Sequence, residues 1–513
     1  MPVIACTPGT PEHGAAIVGV PTGSSFRCSD QPSTLRHRSQ EGPTRMYRFF
    51  KPEHARLGDT IPFYYGGQFH VFYLKRYADD THDRIETDWW QLTSTDLVDF
   101  TDIGPAIPRG GPTDPDFSAA TGSVIRIGHE FHAYYTGFSE WNRRNGGRNQ
   151  TVLRARSTDL LTWTKDPEFA LVSDEMRYDR HEWRDPFVFW DDDAGLFRML
   201  IAAQANHGPV GHSGVTAQAT SPDGHVWTVQ EPLWAPNLFS MHECPDLFRM
   251  GDYWYLVYST LTDRTVTRYR MSRTLAGPWT APADDELDGL GMYAAKTVTD
   301  GDHRYLVGWC PNYAAGKDGA PWLWGGNLIV HQLSQAPDGR LLVSQPAGAR
   351  RILEQRTDQP VTAIDPVTID AAGSYRTATL TAMPHAGVLD VTIVPTPGTK
   401  AFGIELRVDA DRAHGYSVTF EPPLHRIVVD RLDRFGAEAP FDVRPLAVDT
   451  AETSLVVEFD GEVFVVYVNG EVAITFRGYD ISGRDVAVFA REGSVDVRRA
   501  ALHSLQSESQ EDR

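Results

Sequence analysis

The chain has 513 residues, enough to bury a large core and to form more than one domain. Its 48 Lys and Arg against 68 Asp and Glu leave a formal net charge of −20, which argues against a nucleic-acid or anionic-membrane partner. No apolar run approaches the roughly 20 residues of a membrane span, and the charge suits a neutral ligand without selecting one.

Residues 1–45 are rich in Ser, Thr, Pro and Gly, show no sustained periodicity, and read as a disordered tail. The start lacks a basic stretch followed by an apolar core, so no secretory signal is read and a cytoplasmic protein is expected. Cys6, Cys28, Cys244 and Cys310 are sparse and irregularly spaced, which fits reduced thiols. No metal or cofactor is expected. Asn149-Gln150-Thr151 matches the glycosylation sequon and is read as idle without an export signal.

Residues 46–345 repeat themselves loosely five times. Paired aromatic strands read IPFYYGGQFHVFYL, SVIRIGHEFHAYYTGF, PFVFWDDDAGLFRMLIAAQ, PDLFRMGDYWYLVYST and TVTDGDHRYLVGWC. A third strand with a polar turn follows each pair: TSTDLVDFTDI, RSTDLLTWTKD, TSPDGHVWTV, MSRTLAGPWT and QAPDGRLLVSQ. Alternating apolar residues around Gly- and Asp-containing turns are the hairpin pattern. A repeat of about 45 to 60 residues built this way predicts radially stacked blades. The fold expected is all-β: a five-bladed β-propeller over 46–345, a linker over 346–365, a β-sandwich over 366–505 and a polar tail over 506–513. Asp460-Gly461 and Asn469-Gly470 mark hairpins in the second domain.

In a propeller the first strand of each blade lines the axis. Asp59 (LGDTIPFYY), Asp185 (WRDPFVFW) and the Glu243–Asp246 pair (HECPDLF) open such strands, so radial stacking would bring them to one mouth. A glutamate at the lip of an aromatic strand is poorly solvated, which favours the neutral form that a general acid needs. Strand-entry turns, where Asp and Pro are common, are the competing reading for each acid taken alone. Two acids flanking a glycosidic bond suffice to hydrolyse it, and a third can steady the transition state.

At these residues the sequence resembles glycoside hydrolase family 32, the invertases, inulinases and levanases. Arg184-Asp185-Pro186 is similar to that family's Arg-Asp-Pro motif, and Glu243-Cys244 to its Glu-Cys motif. Met292 to Lys296, Gly308-Trp309, Trp89 to Pro108 and VEFDGEVFVVYVNGEVAITFR extend the resemblance over most of Met46 to Leu505. The resemblance implies Glu243 as acid/base, Asp185 as transition-state stabiliser, Asp59 as nucleophile, Arg184 as donor to sugar hydroxyls, and retention through a covalent fructosyl-enzyme. The family usually carries Trp-Met-Asn-Asp-Pro-Asn-Gly around its nucleophile, whereas this chain has Arg56-Leu57-Gly58-Asp59-Thr60-Ile61-Pro62. Where the family has Phe-Ser-Gly-Ser, this chain reads Ala120-Thr121-Gly122-Ser123, and Ser123 is taken as a substrate contact.

Trp89 and Trp322, ahead of Trp90 and Trp324, are candidates to stack on a sugar ring, with a place in a blade core as the alternative. His242 reads as structural, Cys244 as a small packing residue, and Asp191-Asp192-Asp193 as a solvated turn rather than a calcium site. The partner expected is a small β-fructofuranoside such as sucrose or a short fructan. Competing readings are a fructosyltransferase, an inverting arabinosidase or xylosidase resembling glycoside hydrolase family 43 with Asp59 as base, and a non-catalytic carbohydrate-binding propeller.

Overall fold

The computed structural model describes residues 46–47, 49–78, 83–209, 211–355, 361–434, 438–446 and 452–505. The tails expected at 1–45 and 506–513 lie outside the described residues. No helix among the described residues is long and apolar enough to cross a membrane.

Each paired stretch of the N-terminal repeat forms a hairpin where its turn residues allow one. Tyr65 pairs with Gln68 across Gly66 and Gly67, whose φ of 62° and 82° only glycine adopts freely. Ile127 pairs with Glu130, Asp191 with Leu196, Met250 with Tyr253 and Thr299 with Arg304. The polar turn before the outer strands also repeats. The Ser94, Ser157 and Ser221 hydroxyls accept the backbone N–H of Leu97, Leu160 and Gly224 at 2.8, 2.9 and 2.8 Å. In all three the accepting turn ends on a residue with positive φ. The S-x-D-L and S-P-D-G sequences thus fold as one recurring device.

The result is five successive antiparallel meanders, each leading with an inner strand: Ala55–Tyr65, Ser118–Ile127, Tyr178–Asp191, Glu243–Met250 and Tyr293–Thr299. Each inner strand packs against the next, and the fifth packs against the first, so they form a closed ring. Leu57 pairs with Gly326 of the last meander, which seals it. This is a β-propeller. All five inner strands lose register with their hairpin partner at the same level: Leu57/Thr60, Ala119/Gly122, Arg184/Phe187, Glu243/Asp246 and Tyr293/Lys296. A bulge re-aims the side chains at its apex, and here every apex meets the same rim.

The C-terminal part is a β-sandwich whose organiser is the long last strand, Asp485–Leu505. It pairs in turn with Val361–Ile364, Val367–Ala382, Ala386–Pro395 and Ala401–Val408. The two marked hairpins turn where expected, with Asp460 paired to Val463 and Val468 to Val472. The strand Val463–Val468 is apolar throughout because both of its faces are covered. Phe464, Val466 and Val468 enter the sandwich core, while Val463, Val465 and Tyr467 pack against propeller residues such as Tyr255, Leu306 and Ile329.

The stretch expected as a linker is more ordered than its composition implies. It holds a helix, Ala347–Gln355, and the strand Val361–Ile364, with 356–360 outside the described residues. Small residues explain the helix: Ala349 is fully buried, and a β-carbon at Gly348 would sit 3.0 Å from the Asp96 carbonyl.

Asp288 ties the propeller to the sandwich. Its carboxylate accepts His331 Nε2 at 2.8 Å, the Thr475 N–H at 2.7 Å and the Thr475 hydroxyl. Burial alone would raise its pKa, but the hydrogen bonds and charge of His331, with Thr475 and the Gly289 N–H, hold it below the usual 3.8. Its stabilisation is therefore complete above that pH and lost as pH falls through the lower folded value. Asp288→Ala should lower the unfolding free energy by about 3–5 kcal/mol in urea titrations at neutral pH. A loss under about 1 kcal/mol would show that this tie is dispensable.

Candidate active site

The five bulges deliver the site. Asp59 lies in the first, Thr121 in the second, Arg184 and Asp185 in the third, Glu243 and Cys244 in the fourth, and Tyr293 in the fifth. Asp185 and Cys244 have φ of 58° and 50°, left-handed conformations that turn each strand at its apex. Pro186 follows Asp185 and fixes the next backbone angle, which is the local reason for the Arg-Asp-Pro order.

Neighbouring strands hold these residues through one another. The Thr121 hydroxyl donates to Asp59 Oδ2, and the fully buried Trp309 donates Nε1–H to Asp59 Oδ1 at 3.0 Å. Arg184 donates to Glu243 Oε1 at 2.7 Å and to Glu182, and its Nε stands 4.0 Å from Asp185 Oδ2. The Tyr293 hydroxyl donates to the other Glu243 oxygen. The Cys244 N–H donates to Asp185 Oδ2 at 2.9 Å, and the Asp185 N–H donates to the Thr136 hydroxyl at 2.8 Å. Buried Lys296 donates to the Gly122 carbonyl at 2.9 Å. Asp59, Arg184 and Glu243 keep partial exposure, while Asp185 is buried.

Three carboxyls crowd one site against two cations, and their proton affinities separate. Burial, then the charge of Asp185, pushes the Asp59 pKa up to about 7, against the pull of Thr121 and Trp309. Burial also raises Asp185, although the Arg184 charge opposes it. For Glu243 burial acts upward too, but the Arg184 charge and the Tyr293 hydroxyl outweigh it and the pKa falls below the ordinary 4.5. The expectation of a Glu243 kept neutral by its aromatic strand is therefore reversed in the ligand-free site. A cation from the neighbouring inner strand overrides the local environment.

The expected sugar contacts divide. Trp322 is partly exposed, with ring centroids 5.8 Å from Tyr293 and 5.6 Å from Trp309. Trp89 is fully buried among Phe72, Tyr135 and Leu153 and donates Nε1–H to the Ala120 carbonyl at 2.9 Å, so it is a core residue. Ser123 is buried with its hydroxyl accepting the Val188 N–H at 3.0 Å, which joins two inner strands instead of facing a ligand. Asp246 is likewise buried and holds the Thr297 N–H and hydroxyl. His242 is fully buried, stacks 4.6 Å from Trp234, and is driven down to about 3 by burial and Arg270, so it stays neutral. Burial raises the Cys244 thiol well above its ordinary value, and Asp191 caps its own turn and pairs with Arg198 at 2.6 Å.

Thr121, Tyr293, Lys296 and Trp309 were not singled out in the sequence. The first three sit at the same bulge level as the acids, a signal visible once the repeats are aligned. Trp309 sits on the second strand of its hairpin, and the Gly308-Trp309 resemblance marked its segment without giving it a role. A cavity of about 450 Å³ between Tyr313 and Phe441 contains none of the acids.

A propeller whose inner bulges present two acids, a third buried acid and an arginine has the equipment to work on a glycosidic bond. Residues 50–346 match the family described as "Glycosyl hydrolases family 32 N-terminal domain", and residues 354–504 match "Glycosyl hydrolases family 32 C terminal". The chain belongs to glycosyl hydrolase family 32. It is 27% identical over 346 residues to an insoluble-isoenzyme β-fructofuranosidase of Arabidopsis thaliana, covering 61% of this chain and 59% of that protein. It is 31% identical over 233 residues to fructan 1-exohydrolase w3 of Triticum aestivum, covering 44% of this chain and 37% of that one. The chain thus matches well under two thirds of the length of these relatives. The exo-inulinase of Aspergillus awamori shares the fold, with a TM-score of 0.71 at 19% identity over 92% of this chain and all of that one.

Arg184→Met should let burial dominate at Glu243 and raise its pKa above 4.5, with Tyr293→Phe acting in the same direction to a smaller extent. Carboxyl 13C titration of glutamate-labelled protein measures this, and an unmoved Glu243 resonance would contradict the electrostatic account.

Proposed function

We propose that the protein hydrolyses β-fructofuranosides with retention of configuration, in two steps through a fructosyl ester on Asp59. The observation that carries this reading is the opposite treatment of two acids on one rim. Asp59 is aimed by Thr121 and Trp309, whereas Glu243 is held by Arg184 and Tyr293. Family membership supports the substrate class, as do the β-fructofuranosidase and fructan 1-exohydrolase among its relatives. We read each meander as one blade of five.

Asp59, ionised, attacks the anomeric carbon of the fructosyl unit, and Glu243 gives its proton to the departing oxygen. Glu243 then takes a proton from water as that water attacks the ester, and Asp59 is released. Asp185 accepts hydrogen bonds from sugar hydroxyls and faces the positive charge that develops on the ring. Arg184 has a second task. When its guanidinium turns from Glu243 to the sugar hydroxyls, the influence that kept Glu243 ionised is withdrawn and burial raises its proton affinity. Substrate binding itself then makes Glu243 an acid. Trp322 supplies part of the aromatic wall, and Ser123 and Trp89 have no place in the binding step.

The Asp59–Glu243 pair must carry one proton to work. Below the lowered value of Glu243, itself under 4.5, it carries two and the nucleophile is lost; above about 7 it carries none and the acid is lost. A plot of kcat/KM against pH should therefore be bell-shaped between those limits. A profile still rising through pH 8 would rule out the shared proton. Asp59→Ala and Glu243→Gln should each lower kcat on a good substrate by roughly 10²- to 10⁴-fold while the protein remains folded. Proton NMR of the first product from sucrose, inulin-type and levan-type oligosaccharides and arabinosides reports sugar and stereochemistry together. β-Fructose as the first product supports the proposal, and an inverted anomer or an arabinoside as the sole substrate defeats it.

A further inference from the structure

The departure of the Asp59 segment from its family's pattern has a cause that lies across the ring. A β-carbon on Gly58 would overlap Cη2, Cζ2 and Cζ3 of Trp324, so the indole occupies the space of the missing side chain. Trp324 comes from the strand Trp322–Gln335 of the last meander, which the Leu57–Gly326 pair presses onto the first inner strand. Gly325 permits the approach: its φ is 86°, and a β-carbon there would lie 2.9 Å from Cβ of Arg56. Thr60 completes the splice, its buried hydroxyl donating to the Val307 carbonyl of the same meander at 2.7 Å. Each departure in Gly58-Asp59-Thr60 is thus matched by a contact from the closing meander.

Trp324 also stands beside the chemistry. Its ring lies 5.7 Å from that of Trp309, which donates to Asp59, and it keeps partial exposure where Trp309 has none. It packs against the cores on both sides of the first inner strand. The residue preceding Asp59 offers no carboxamide, and its space is taken by the partly exposed indole of Trp324, with the Arg76 guanidinium 5.9 Å from the ring centre.

We infer that Trp324 determines glycon specificity, its exposed face forming the wall of the furanosyl subsite next to Asp59. This rests on the proposed β-fructofuranosidase reading. A furanosyl ring has an apolar C–H face that stacks on an indole, while its hydroxyls are left to Arg184 and Asp185. Trp324 acts before the leaving group is reached, so it binds the fructosyl unit equally in every substrate and in free fructose.

The test measures KM and kcat on a substrate that the wild-type protein cleaves, together with inhibition by free fructose. Trp324→Ala should raise KM and the fructose inhibition constant by the same factor, about tenfold, with kcat changed less than about threefold. Trp324→Phe should keep both constants within about threefold of wild type. Gly58→Ala should displace the indole and weaken fructose binding in the same direction. Gly58→Ala with Trp324→Ala should be no worse than Trp324→Ala alone, because the overlap is gone.

Folded Trp324→Ala with unchanged KM and inhibition constant overturns the inference, and so does a raised KM with unchanged fructose inhibition, which would move Trp324 to the leaving-group side. Should Trp324→Ala fail to fold, the 19F signal of Trp324 in 5-fluorotryptophan-labelled wild-type protein, assigned with Trp324→Phe, decides. A shift on fructose titration supports the inference, and no shift while fructose inhibits overturns it. A wild-type protein that neither cleaves a fructofuranoside nor binds fructose overturns the proposed function and this inference together.

Discussion

The ring of five inner strands is constrained to break register at one level, and the site depends on that constraint. Each bulge turns one or two polar side chains to the rim, and each of those is then gripped by a neighbouring meander. Thr121 and Trp309 reach Asp59, the Cys244 N–H reaches Asp185, Ser123 receives Val188, and Asp246 receives Thr297. Position and closure are therefore one property. The hydrogen bonds that aim the acids also join the blades, and a gap in the ring would disorder the site before it disordered any single sheet.

Electrostatics follows from that crowding. Three carboxyls face Arg184 and Lys296, so they cannot all ionise without cost, and their proton affinities are driven apart. Burial and the Asp185 charge push Asp59 up to about 7, while the Arg184 charge holds Glu243 down. The proposed mechanism needs the reverse order, with the proton on Glu243. In that proposal a sugar that competes for the guanidinium restores it, which would couple recognition and proton placement through one side chain.

Much of this was legible in the sequence. Hairpin turns such as Gly66-Gly67 and Gly251-Asp252 set strand boundaries locally, and Asp59, Asp185, Arg184 and Glu243 announced themselves at repeated strand starts. What failed had non-local causes. The protonation of Glu243 was misjudged because its aromatic strand is visible in sequence while the guanidinium 2.7 Å away comes from another meander. Trp89 and Trp324 look alike as residues, yet one is buried by the second meander and the other is partly exposed at the seam of the ring. Gly58 looked like a lost side chain. In three dimensions its space is taken by Trp324. The helix Ala347–Gln355 was missed because its first turn buries only Gly348 and Ala349, which carry little hydrophobic signal.

Trapping the ester on Asp59 tests the central claim most directly. Glu243→Gln protein, given a fructosyl donor whose leaving group needs no acid, should form the ester and then hydrolyse it slowly for want of a general base. Mass spectrometry of the quenched and digested protein should find one hexosyl increment on the peptide carrying Asp59. An increment on any other peptide, or steady turnover without an adduct, would contradict the account.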